Sequence, residues 1–292
     1  MCAKQVKDGE KKVKTTGHSW DGIEEYDNPM PRWWVWTFYA CIIWGLGYSI
    51  VYPSWPLISH SYRGLTNWSA RTEVAEDIAK QSAFNATIQD KLVQTELTEI
   101  GNDPELAGFA QNAGRSIFIN NCAQCHGAGA AGVQNLGYPN LLDDDWLWGG
   151  DIESIHTTVT HGIRNTTDEE ARFSQMPAFG RDGMLDNEQI GQVVEYVLML
   201  SGQDHDMDKA TLGETIFMDN CSGCHGETGD GDRDQGAPKL NDAVWLYGGT
   251  REDITETVTN ARFGVMPNWS PRLSEADIRA VAFYVHGLGG GE

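Results

Sequence analysis

The sequence predicts a mostly α-helical protein, with one N-terminal helix across a membrane and then two tandem copies of one small domain. Three observations predict this class. Residues 33–52 carry no charged side chain. A Cys-x-x-Cys-His pentapeptide occurs twice, as Cys122-Ala123-Gln124-Cys125-His126 and Cys221-Ser222-Gly223-Cys224-His225. The stretches around the two pentapeptides align with each other at an offset of 99 residues. The expected boundaries are 1–32 for a cytoplasmic segment, 33–52 for the membrane helix and 53–104 for a periplasmic connecting segment. Residues 105–205 and 206–292 are the two domains.

The uncharged run begins Trp33-Trp34-Val35-Trp36 and ends at Tyr52, before Pro53. As a helix its 20 residues span about 30 Å, the thickness of a bilayer's hydrocarbon core. Trp33, Trp34 and Trp36 gather at one end and Tyr48, Tyr52 and Trp55 at the other, as interfacial aromatic belts do. Lys4, Lys7, Lys11, Lys12 and Lys14 precede the run and set its N-terminus in the cytoplasm, with the remainder facing outward. The 32-residue polar lead and the lack of a small-x-small site after the run mark an uncleaved signal-anchor. Cys41 lies mid-span, and Cys2 has no assigned role.

The chain holds 42 acidic and 21 basic side chains, a net charge of −21. Residues 1–32 contain six of each sign, so the acidic excess lies entirely beyond residue 53. A surface so acidic repels nucleic acid and steers a basic partner. Pro53, Pro56 and Gly64 break the helix as it leaves the membrane, and His60 just outside reads as a surface residue. From Thr72 to Leu97, Val74, Ile78, Phe84, Ile88, Leu92 and Val93 recur near helical spacing. Such an amphipathic helix fits packing on the first domain and docking on another subunit alike.

Cys-x-x-Cys-His is the attachment signature of a c-type haem. The two thiols add across the haem vinyl groups, and the following His is placed to ligate the iron. A zinc knuckle does not require that His, and a disulfide framework belongs to smaller secreted chains. Beyond the motif, Pro139 falls on Pro238 and Leu141 on Leu240. Trp146-Leu147-Trp148-Gly149-Gly150 falls on Trp245-Leu246-Tyr247-Gly248-Gly249. Each copy reads as a helix, the haem motif, a glycine-rich loop, a short helix, a Met-Pro loop and a closing helix. Asp103-Pro104 starts the first helix, Asp186 with Gln189 starts one closing helix, and Ser274 starts the other. The closing helices end near Gly202 and Gly287, and their Tyr196 and Tyr284 are expected on the Gly114 and Gly213 helices.

An electron-transfer iron needs a second axial ligand, and a thioether raises its potential. Ser174-Gln175-Met176-Pro177 and Gly264-Val265-Met266-Pro267 supply matching candidates. Met176 lies 50 residues after His126 and Met266 lies 41 after His225. The difference of 9 is one insertion at about Gly162–Glu170 in the first copy. Met184 is the reserve ligand for the first haem, and Met199, Met207 and Met218 read with it as core fillers. His156 and His161 match Thr255 and Asn260 in the second copy, which are not usual haem ligands, and His286 reads as a closing-helix side chain.

From motif to Met-Pro loop to closing helix, the pair resembles class I c-type cytochrome domains. With the single membrane helix and the lead Asp27-Asn28-Pro29-Met30-Pro31-Arg32-Trp33-Trp34, the whole chain resembles the di-haem subunit III of cbb3-type cytochrome c oxidases. That resemblance implies two covalently bound haem c groups. Cys122, Cys125, His126 and Met176 would hold one, and Cys221, Cys224, His225 and Met266 the other. It implies a single-pass protein of the bacterial inner membrane, beside a mono-haem cytochrome c subunit and a catalytic subunit with haem b and copper. Electrons would pass from a soluble, basic cytochrome c donor toward those subunits, where oxygen is reduced and protons are moved. With both irons six-coordinate, no catalytic centre is expected on this chain. The competing reading is a free-standing membrane di-haem cytochrome that feeds other periplasmic enzymes.

Overall fold

The computed structural model describes residues 14–292. Lys4, Lys7, Lys11, Lys12 and Cys2 lie outside the described residues. The described residues divide into two compact units, 14–82 and 83–292.

The first unit opens with an antiparallel hairpin, β1 (Thr15–Trp20) and β2 (Ile23–Tyr26), that the sequence reading did not foresee. Its signal was present. Asp21 and Gly22 both hold positive φ between paired Trp20 and Ile23, as a two-residue Asp-Gly turn requires. Helix α1 (Arg32–Val51) follows, with no buried residue and a length and hydropathy sufficient to cross a membrane. Trp34 stacks on Phe38 near its start and Tyr48 on Tyr52 near its end. Its last carbonyls are answered by the loop beyond. Leu65 N–H donates to Ile50 O, and the Thr66 N–H and hydroxyl donate to Val51 O. Cys41 and His60 are exposed, and His60 Nδ1 lies 3.0 Å from the Ser59 hydroxyl.

Helix α2 (Ala70–Gln94) starts in the first unit and ends in the second. Its apolar positions divide along its length. Val74, Ile78 and Phe84 are exposed, whereas Ile88 and Leu92 pack into a core of the second unit. That core continues through a 3-10 turn (Leu97–Asn102) into α3 (Pro104–Ile117). Asp103 caps α3 by accepting from the Glu105 and Leu106 N–H groups, with Pro104 at the first helical position.

The second unit then runs through a π-type turn (Phe118–Cys122), α4 (Ala123–His126), α5 (Ile152–His161) and α6 (Asn187–Leu200). It ends with α7 (Met207–Asn220), α8 (Ser222–His225), α9 (Arg251–Asn260) and α10 (Glu275–His286). The Asp186–Gln189 capping box forms on α6, and Ser274 forms one with Asp277 on α10. The packing partners are exchanged relative to the repeat. Helix α3 packs on α10, the closing helix of the other copy, and α6 packs on α7. A Cβ on Gly114 would strike the Ala280 carbonyl, and one on Gly213 the Gln192 carbonyl, so only glycine permits either crossing.

The tyrosines follow the same exchange. Tyr284 sits on the Gly114 helix with its ring 5.6 Å from Phe118, and Tyr196 sits on the Gly213 helix with its ring 5.2 Å from Phe217. Within-copy packing of these tyrosines is therefore corrected. One core lies wholly between residues 176 and 258, a continuous half. The other joins residues 117–159 to residues 266–288, a split half. The chain crosses between halves at the insertion. Ile163 and Met266 exchange N–H···O bonds at 3.0 Å, while Arg164 N–H donates to Arg172 O at 2.8 Å.

Candidate haem sites

Each pentapeptide forms one short helical turn, and a glycine at positive φ ends it (Gly127, Gly226). That glycine turns the chain into a loop whose Gly132 and Gly231 N–H groups donate back to the His126 and His225 carbonyls. The loop carries the Pro139 and Pro238 carbonyls to the histidines. His126 Nδ1 lies 3.3 Å from Pro139 O and His225 Nδ1 2.9 Å from Pro238 O. Donation from Nδ1 leaves Nε2 with a lone pair for a metal. Burial holds both imidazoles below their ordinary pKa, against a smaller opposing effect of those carbonyls, and so keeps them neutral. Burial, and secondarily the neighbouring Cys125 and Cys224, pushes the Cys122 and Cys221 thiols up to about 11.

Two large clefts open beside these turns. The first is lined by Cys122, Cys125, His126, Trp148, Val281, Val285 and Met266. The second is lined by Cys221, Cys224, His225, Val193, Val197, Tyr247 and Met176. The structure thus corrects the within-copy methionine pairing, because Met266 reaches the His126 cleft and Met176 the His225 cleft. The reason is the exchange of closing helices, since each Met-Pro loop leads directly into the helix that changes partner.

The reserve choice is corrected as well. Met184 is 54% exposed and lines neither cleft. Met207 and Met218 are also exposed, and only Met199 packs against a core as a filler. His156 meets Glu275 at 3.1 Å, and His161 meets Asp168 and Glu170 at 3.2 and 3.3 Å. His286 Nε2 donates to the backbone oxygen of Glu292, 2.9 Å away. None of these three histidines lines a cleft.

The residues fit a flat, mostly apolar group with an anionic rim. Leu, Val, Ile, Phe, Trp and Pro supply much of both walls. Trp148 is buried in the first wall, and its indole N–H has no partner among the described residues, as is also true of Arg172 Nε. The Arg172 guanidinium lies 5.5 Å over the Trp148 ring, so an orphaned donor and a cation sit together. A haem carboxylate in that cleft would answer the Trp148 donor. The matching pair in the second half is Arg262, 5.0 Å over the Tyr247 ring.

One residue escaped the sequence reading. Arg164 lines both clefts, as do Leu147 and Leu246. Its only sequence signal was its place in the nine-residue insertion that interrupts the repeat.

Comparison with known proteins shows the family. Residues 12–59 match the N-terminal domain of cytochrome oxidase-cbb3, FixP, and residues 109–197 and 208–285 match cytochrome c oxidase, cbb3-type, subunit III. A cbb3-type cytochrome c oxidase subunit CcoP of Cereibacter sphaeroides is 66% identical over the full length of both chains. One from Rhodobacter capsulatus is 53% identical over 97% of each chain. A subunit FixP of Sinorhizobium medicae is 46% identical over 96% of each. With motif, clefts and full-length similarity in agreement, the chain belongs to the subunit III family of cbb3-type cytochrome c oxidases.

Proposed function

We propose that this chain carries two covalent c-type haems and relays electrons from a soluble, basic cytochrome c toward the mono-haem and haem b/copper subunits of a cbb3-type oxidase. The observation that carries the reading is that the two clefts share Leu147, Arg164 and Leu246 as walls. Groups seated in adjoining clefts would be close neighbours. Each haem, when bound, supplies a one-electron iron couple. Cys122 and Cys125 would hold one by thioethers, and Cys221 and Cys224 the other. His126 and Met266 would hold the iron in the first cleft, and His225 and Met176 that in the second. With a methionine sulfur so placed, this chain would offer small molecules no open iron, and we assign oxygen reduction and the coupled movement of protons to the partner subunits.

The net charge of −21 supports steering of a basic donor. The lysines at 4–14 support a cytoplasmic N-terminus, with α1 across the bacterial inner membrane and the haem domains in the periplasm.

The relay is tested in whole oxidase assembled with all four motif cysteines changed to Ser. Such an oxidase should retain b haem and lose oxygen uptake driven by the donor. Unchanged uptake would remove the relay. The axial pairing is tested in oxidase carrying Cys221→Ser and Cys224→Ser. There, Met266→Ala should lower the potential of the remaining haem of this chain and Met176→Ala should leave it. The reverse outcome restores the within-copy pairing.

A further inference from the structure

Arg164 is the residue whose placement the relay alone does not explain. It stands at the chain crossing, inside the nine-residue insertion. Its Nε donates to Gly264 O at 2.8 Å and its Nη1 to Ser174 O at 2.9 Å. Gly264 is two residues before Met266, and Ser174 is two residues before Met176. One planar guanidinium therefore grips the same point of both methionine loops. It forms no ion pair among the described residues, and its guanidinium carbon lies 6.0 Å over the Phe263 ring. The backbone reinforces the grip on both sides, since Ile163 pairs with Met266 and Arg164 N–H donates to Arg172 O on the segment leading to Met176. Hydrogen bonds from a fixed, charged fork are directional and stronger than neutral ones, which is what a shared brace requires.

We propose that Arg164 is a positioning residue shared by both haem sites, so that the two axial sulfurs are held, and released, together. The proposal rests on the assignment of Met176 and Met266 as axial ligands. The whole oxidase is prepared with Arg164→Gln, Arg164→Lys, Met176→Ala and Met266→Ala. Two properties are read for each c haem of this chain: the sulfur-to-iron charge-transfer band when oxidised, and carbon monoxide binding when reduced.

In Arg164→Gln both haems should change together. With one charge-assisted hydrogen bond lost per loop, each sulfur should loosen by about tenfold. Arg164→Lys keeps the charge without the fork, so it should loosen both sulfurs by less, and it carries the test if the Gln variant does not assemble. A change at one haem alone, or at neither, overturns the shared brace, provided each Met variant abolishes the band of one haem. If the Met variants leave the bands intact, the ligand assignment fails and the brace fails with it.

Discussion

The split and continuous halves place the same repeat positions in two different surroundings. In the continuous half, Arg251 at the start of α9 forms a two-pronged ion pair with Glu195 on α6, at 2.7 and 3.0 Å. Aligning the repeat puts Ile152 at the place of Arg251 and Phe283 at that of Glu195. Both belong to the apolar core formed by the end of α2, the 3-10 turn and α3. The difference is cover. The split half has Leu92, Leu97 and Ile100 packed over this corner, while Arg251 is 46% exposed. An apolar pair is favoured where water is excluded, and an ion pair where one partner keeps its hydration.

The largest test of that comparison places charge under the cover. Ile152→Arg should cost about 3–5 kcal/mol, because the guanidinium would be buried without a partner. Adding Phe283→Glu should recover only part of this. The reciprocal pair, Arg251→Ile with Glu195→Phe, should fold but expose apolar surface and lower solubility. Denaturant unfolding of the four proteins checks this, and an Ile152→Arg variant as stable as the parent would end the argument from cover.

A smaller effect concerns acid. The Arg251 guanidinium foremost, and then the Asp206 N–H, holds the Glu195 carboxyl below its usual range. Its contribution to stability is thus present above the ordinary carboxylate pKa and is lost as pH falls through the lowered value. Arg251→Ala should move that loss to higher pH, where Ile152→Ala should not. Thermal melting from neutral to acid pH separates the two.

The smallest effect sharpens the exchange itself. A double-mutant cycle between Phe118 and Tyr284 should give a coupling of about 0.5–1.5 kcal/mol, as ring pairs do. The cycle between Phe118 and Tyr196 should give roughly none, because distant sites add. Coupling in the second cycle and not the first would return each tyrosine to its own copy.

Local chemistry made much of this protein legible in its sequence. The haem motif, the uncharged run, the capping residues at 103, 186 and 274 and the internal repeat depend on neighbours within a few residues. Pattern alone locates such features. The hairpin at Asp21-Gly22 was equally legible but was obscured by the polar residues around it. What the sequence determined by itself was therefore the cofactor class, the number of copies, the helices and the family. The tertiary structure decided which methionine faces which histidine, that Tyr284 lies on the Gly114 helix, and that Arg164 reaches both clefts. Two copies with matching apolar faces can close within a copy or across copies at nearly equal local cost, since each helix satisfies its own backbone either way. The choice rests on the short insertion at the crossing and on contacts between residues about 100 apart, which no local pattern records.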